Sequence, residues 1–156
     1  MKYSQYKFKF YLNANHAIYL RGVLGQNHPH TWEITLDTIK VRDEFVQFDA
    51  VEKSVEAYLS VFQDQDINRC EPFTVINPTL ENICAFFKTE LARIFAKSGW
   101  LLTRIELAET PTRSYIIDRT DEIDTLIAEE LAMVADDASL DASAEKKLDA
   151  ILGAKN

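Results

Sequence analysis

A chain of 156 residues, 47% hydrophobic and 11% aromatic, suits one domain with a real core. No apolar run approaches the ~20 residues of a membrane span, and the opening Met-Lys-Tyr-Ser-Gln lacks the apolar core and cleavage site of a secretory signal. Of the net charge of −8, residues 120–156 carry −7, from ten Asp or Glu against three Lys; the nearly neutral remainder offers no basic patch for nucleic acid.

Taken in order, Lys2 to His16 alternates strictly, which predicts a half-buried strand with Tyr6, Phe8, Phe10, Leu12, Ala14 and His16 on one side. Arg21-Gly22-Val23-Leu24-Gly25 follows as a connection, its two glycines marking a turn or loop. Alternation resumes from about Asn27 to Arg42, with His28, His30, Trp32, Ile34 and Leu36 sharing a face. Pro29 cannot donate to a ladder, so that end of the strand is an edge, a bulge or unpaired. Asp49-x-x-Glu52 reads as a capping signature opening a helix that carries Val51, Val55, Tyr58, Leu59 and Phe62. After a polar loop, Thr79 is an N-cap for a helix burying Leu80, Ile83, Cys84, Phe87, Leu91, Ile94 and Phe95, stopped near Ser98-Gly99. Trp100 to Thr110 forms a third strand with Thr103, Ile105, Leu107 and Glu109 on one face, and Arg113 to Asp118 a fourth.

This predicts an α+β body over residues 1–119, in the order strand, strand, helix, helix, strand, strand. Residues 120–156 form an acidic extension with helical stripes at Ile123, Leu126, Ile127, Leu131 and Val134, and again over residues 143–152. Such a helix packs on its own body or on a neighbouring subunit. Cys70 and Cys84 stand outside any C-x-x-C spacing, which indicates neither a disulfide framework nor a cysteine zinc site and favours a reducing, cytoplasmic setting.

The candidate chemistry lies in three histidines, all within fifteen consecutive residues. His28 and His30 leave one face of a strand, and a hairpin would bring His16 beside them. Three neutral imidazoles converging from two strands make a zinc site with an open fourth position, the arrangement of a catalytic ion. The plainer alternative is an exposed strand face with local hydrogen bonds. Against it, all three lie on apolar faces, where donors and acceptors must be satisfied.

The element order and these spacings resemble the 6-pyruvoyl-tetrahydropterin synthase and 6-carboxytetrahydropterin synthase family over roughly residues 5–118. The resemblance rests on Asn13-Ala14-Asn15-His16, His28-Pro29-His30, Pro78-Thr79-Leu80-Glu81-Asn82 and Glu109-Thr110. It implies a tunnelling fold, with a four-stranded antiparallel sheet and two helices on one side. It also implies a homo-oligomer such as a hexamer, and a Zn2+-dependent lyase acting on 7,8-dihydroneopterin triphosphate or a related pterin. His16, His28 and His30 would hold the zinc, Glu109 would accept from the pterin N–H groups, and Thr79 would neighbour the pterin. Glu109 could instead pair with Arg113 or Arg104. The chain departs from the family where proton transfer is concerned. Leu24 stands in place of the catalytic cysteine, and Phe62 to Asn68 holds no histidine. Asp64 or Asp66 with a pKa raised by burial, a water activated by the metal, or the thiol of Cys70 remain as substitutes. The alternative is a catalytically inactive relative that holds zinc and serves as a ligand-binding or scaffold protein.

Overall fold

Alternation in sequence becomes alternation in burial along β1 (Tyr6–His16), where Phe8, Phe10, Leu12, Ala14 and His16 are buried and the residues between them exposed. This is seen in a computed structural model that describes residues 4–41 and 46–132. The chain divides into two units between Asp121 and Glu122. Tyr6, expected inward, is 40% exposed, since it caps the rim of the core edge-on to Phe48 and Trp100, at centroid distances of 5.5 and 5.2 Å. After β1 the connection is itself a small hairpin, β2 (Tyr19–Leu20) and β3 (Val23–Leu24). Arg21 and Gly22 turn it with φ of 52° and 78°, the positive pair that a tight two-residue hairpin turn requires.

The long strand β4 (His28–Lys40) returns antiparallel to β1, placing His28 opposite His16 and His30 opposite Ala14. Next, α1 (Phe48–Leu59) begins earlier than the capping signature suggests. Its N-cap is Gln47, with no side-chain capping bond, and Asp49 lies in the first turn, where its charge favours the helix dipole. The Phe48 ring against Tyr6 fixes this start. Phe62 lies beyond the helix but remains buried, carried inward by the turn in which its N–H bonds the Leu59 carbonyl.

A short strand β5 (Gln65–Asp66) and a 3-10 turn at Ile67–Arg69 precede α2 (Leu80–Lys97). Thr79 caps α2, its side chain accepting from the Asn82 N–H, and Gly99 closes it at φ 77°. Of the face expected to be buried, Ile94 is only half covered. The sheet is completed by β6 (Trp100–Thr110) and β7 (Arg113–Asp118) in the order β5-β1-β4-β6-β7. Four long strands are antiparallel, as the alternation requires. β5 adds a two-residue parallel edge beside Ala14 and Asn15.

A bulge at Asp37/Thr38 corrects the reading of β6. Trp100 and Leu102 are buried together with Ile105 and Leu107, a change of phase that one extra residue in the strand produces. Thr103 sits at this irregularity, its hydroxyl donating to the Asp37 carbonyl at 3.1 Å. In the second unit residues 123–132 are helical; of the expected stripe Ile123 and Leu126 are buried, Ile127 is half-buried and Leu131 is exposed. Val134 and the 143–152 stripe lie outside the described residues.

Candidate metal and ligand site

Backbone phase explains how the histidine-bearing strand ends are arranged. Asn13 turns both its backbone groups toward β5: its N–H donates to Gln63 Oε1 at 3.2 Å, and its carbonyl accepts from the Asp64 N–H at 2.7 Å. Antiparallel pairs alternate between bonded and non-bonded, so Asn13–Thr31 and Asn15–Pro29 are both non-bonded pairs. Pro29 therefore aims its donorless nitrogen away from β1 and removes no bond from that ladder. Pairing of β4 with β6 starts only at Glu33–Ala108, so residues 28–32 have an open edge on that side. Pro29 fits there without penalty.

On the core face of this end stand His16, His28 and His30. Their ring centroids are 4.6 to 5.0 Å apart, and one ligand atom from each lies within 4.8 Å of the others. Trp32 closes the floor, edge-on to His16 at 4.9 Å and to His30 at 5.2 Å, with its indole N–H on the Ala14 carbonyl. Two of the rings are oriented by backbone carbonyls, His16 Nδ1 by Pro78 at 2.8 Å and His28 Nδ1 by Gln26 at 2.9 Å. A carbonyl only accepts, so each Nδ1 carries a proton, which in the neutral imidazole leaves the Nε2 lone pair free.

His16 is fully buried, and its Nε2 has no hydrogen-bond partner. Leaving such an atom orphaned costs on the order of 1–3 kcal/mol. Burial pushes the pKa of His16 down, against the opposing pull of the Pro78 carbonyl, with the neighbouring His28 and His30 adding to the lowering. Burial likewise lowers His30, with Glu109 pulling the other way. Neutral imidazoles are the ligating form. A tetrahedral zinc shell with Zn–N near 2.0–2.1 Å needs donors about 3.4 Å apart, a small closure of this cluster. The donor set fits zinc.

Beside the triad, β6 and β7 shift register between Ala108 and Thr110, and the residue at that bulge is Glu109. Bulges re-aim side chains, and here the buried carboxylate comes against the histidines. Glu109 Oε2 lies 3.9 Å from Nε2 of both His16 and His30. Its other oxygen, Oε1, accepts from Arg113 Nε at 2.8 Å, with Arg113 Nη2 on the same oxygen. The ion pair with Arg113 raised as an alternative for Glu109 is thus formed. Arg104 is engaged elsewhere, with Asp37, Glu106 and Asp118. Because β4 and β6 separate beyond Glu33–Ala108, a cleft of about 490 Å³ opens between them, and His30 and Glu109 both line it.

The remaining candidates serve other parts of the framework. Thr79 caps α2 directly after Pro78, whose carbonyl holds His16. Asp66 accepts from the Asn68 N–H and from Asn27 Nδ2, bracing the segment that leads into His28. Asp64 is exposed, so the burial expected of a general base is not met there; it lines a cavity of about 420 Å³ with His30, Pro29 and Thr31. The Cys70 thiol bonds the Asp66 carbonyl and is pushed up in pKa by burial, so no thiolate is favoured there. Burial pushes Cys84 up to about 12. Leu24 is 49% exposed on the β2–β3 hairpin. Sequence reasoning missed the amide clamps: Asn68 holds both backbone groups of Ala17, and Asn77 both of Tyr19. Their sequence signal is only asparagine in a loop.

An α+β domain with helices on one face of such a sheet, and a histidine cluster at the sheet's end, has the architecture of the tunnelling fold. A 6-pyruvoyl tetrahydropterin synthase family model matches residues 5–120, about three-quarters of the chain. The chain belongs to the 6-pyruvoyl tetrahydropterin synthase family. Among solved structures it is similar to the Caenorhabditis elegans 6-pyruvoyl tetrahydropterin synthase, with TM-score 0.63 and 13% identity over 74% of this chain and 94% of that one. The Plasmodium falciparum 6-pyruvoyl tetrahydropterin synthase aligns with TM-score 0.54 and 17% identity over 73% and 97% of the two chains. An uncharacterized Wolinella succinogenes protein aligns with TM-score 0.57 and 12% identity over 74% and 97%. No curated protein matches by sequence.

Proposed function

We propose that this protein is a zinc-dependent lyase of the pterin-synthase type, acting on 7,8-dihydroneopterin triphosphate or a close dihydropterin relative in a reducing, cytoplasmic setting. The observation that carries the reading is the buried, unpartnered Nε2 of His16 beside His28 and His30, at the wall of a cleft that also holds a buried carboxylate. His16, His28 and His30 hold the metal, two of them aimed by backbone carbonyls. Bound there, zinc supplies Lewis acidity toward a side-chain oxygen of the ligand. Glu109 anchors the N–H edge of the heterocycle, and Thr79 keeps the α2 turn, and with it His16, in place. Asp64, on a cavity shared with His30, is the better placed of the two acidic candidates for moving a proton, since Asp66 is committed to bracing.

A second reading is favoured by one observation: Leu24 occupies the position where the family carries a catalytic cysteine, and leucine moves no proton. In that reading the chain holds zinc and a pterin-like ligand without turnover. Zinc-loaded protein incubated with 7,8-dihydroneopterin triphosphate, its products identified by mass spectrometry, separates the two. Loss of triphosphate or side-chain cleavage supports the lyase, and Asp64→Asn then reduces the rate at least tenfold. No product from protein with bound zinc supports the non-catalytic relative.

The family's homo-oligomeric assembly is proposed for this chain as well. Among the described residues, the edge of β1 facing away from β4 is engaged only over Asn13 to Asn15, and β7 is the last strand of the sheet. Free edges of this length are normally covered, and a second copy would cover them.

A further inference from the structure

We propose that Arg113, from outside the cleft, determines its specificity through Glu109: its guanidinium occupies Glu109 in place of a ligand's N–H edge and must leave before a heterocycle is anchored. This rests on the reading above that Glu109 is the anchor.

Glu109 is 7% exposed and lines the cleft, while the side chain of Arg113 is 63% exposed. Buried carboxylates need a charged or strongly donating partner, and here the partner comes from the surface, four residues along. Both Nε and Nη2 of Arg113 converge on Oε1. A guanidinium presents a planar row of N–H donors. A 2-amino-4-oxo pyrimidine ring presents the same kind of row, so the two compete for one acceptor. Arginine can give way because its other side is solvent: β7 begins at Arg113, after the Pro111-Thr112 turn, and its residues are mostly exposed. Swinging out exchanges the two charge-assisted N–H contacts on Oε1 for hydration. Glu109 keeps its facing toward His16 and His30 throughout, because the bulge at Ala108/Thr110 sets it.

Ligands are therefore filtered by donor pattern. A ring with two or more in-plane N–H groups repays the displaced arginine, whereas a ring offering a single donor does not. Arg113 also makes binding dependent on salt. Screening weakens the Arg113–Glu109 pair more than it weakens a neutral ring on Glu109, so affinity of the native protein rises with ionic strength.

The test is equilibrium binding of pterin itself, followed by its fluorescence, to zinc-loaded native protein and to the Arg113→Ala, Arg113→Lys and Glu109→Ala variants at low and moderate salt. The expected result is pterin binding about three- to tenfold tighter in Arg113→Ala than in the native protein. Arg113→Lys, keeping the charge but losing the planar fork, falls between. Added salt tightens binding to the native protein but not to Arg113→Ala, and Glu109→Ala binds at least tenfold more weakly than the native protein. A merely structural Arg113 would not produce that salt difference. If Arg113→Ala fails to fold, the native-to-Lys comparison and the salt series decide. Native protein that binds pterin no more weakly than folded Arg113→Ala overturns the proposal and leaves Glu109 as anchor. No pterin binding by native protein or variants, with zinc bound, overturns both.

Discussion

At the scale of single residues, the site is a problem of satisfying buried nitrogen. His16 has one ring nitrogen on the Pro78 carbonyl and the other unpartnered at zero exposure, a state that a bound cation would relieve. Replacing His28 by alanine removes one of three donors, and His28→Ala is expected to lose stoichiometric zinc after dialysis, measured by atomic emission. Retention of one zinc per chain would exclude the triad as the site. Glu109 shows how far residue-level reading reached. Its candidate partners, a ligand or one of Arg113 and Arg104, were evident in the sequence, because a carboxylate ending an apolar face needs one of them. Which of them holds it depends on the bulge after Ala108, and nothing in the local residue types marks that bulge.

At the scale of elements, the strands were legible where alternation was unbroken. β1 from Phe8 onward and the Thr79-capped α2, Ile94 apart, follow the pattern. The misreadings share a physical origin. Asp49 and Glu52 have the spacing of a cap, but contact between Phe48 and Tyr6 starts the helix earlier. Trp100 and Leu102 join the core through a bulge that a period-of-two reading does not anticipate. Thr79→Ala, removing the side-chain acceptor for the Asn82 N–H, is expected to cost about 1 kcal/mol by urea denaturation. The same variant should loosen zinc, because Pro78 positions His16 from the adjoining turn.

The outer face of β6 and β7 carries a pH signature. The Ser114 hydroxyl and then Arg104 hold the Glu106 carboxyl below the usual carboxylate range. On acidification the unfolded chain takes up this proton first. The contribution is therefore complete above the ordinary glutamate value of about 4.3 and is lost as pH falls through the lower folded value. Urea midpoints measured between pH 6 and pH 3 should fall less steeply in Glu106→Gln than in the native protein.

For the whole molecule, a metal held by the triad would be coupled to the fold, because the histidines come from two strands that only the folded sheet brings together. A chelator should therefore lower the melting temperature, by roughly 5–10 °C for an ion held at a hundredfold excess over its dissociation constant. An unchanged melting curve would mean that the cluster holds no ion in solution.

Pro29 has a further consequence at this scale. Its missing N–H faces the gap that β6 leaves open, between the two histidines of β4. Any residue with an amide there would offer a neighbouring chain a place to hydrogen-bond and close the gap with a foreign strand. Proline turns that invitation down while leaving the passage wide enough for a small molecule. One imino acid thus keeps the entrance from becoming an adhesive seam, and Pro29→Val is expected to shift the purified protein toward larger aggregates in light scattering.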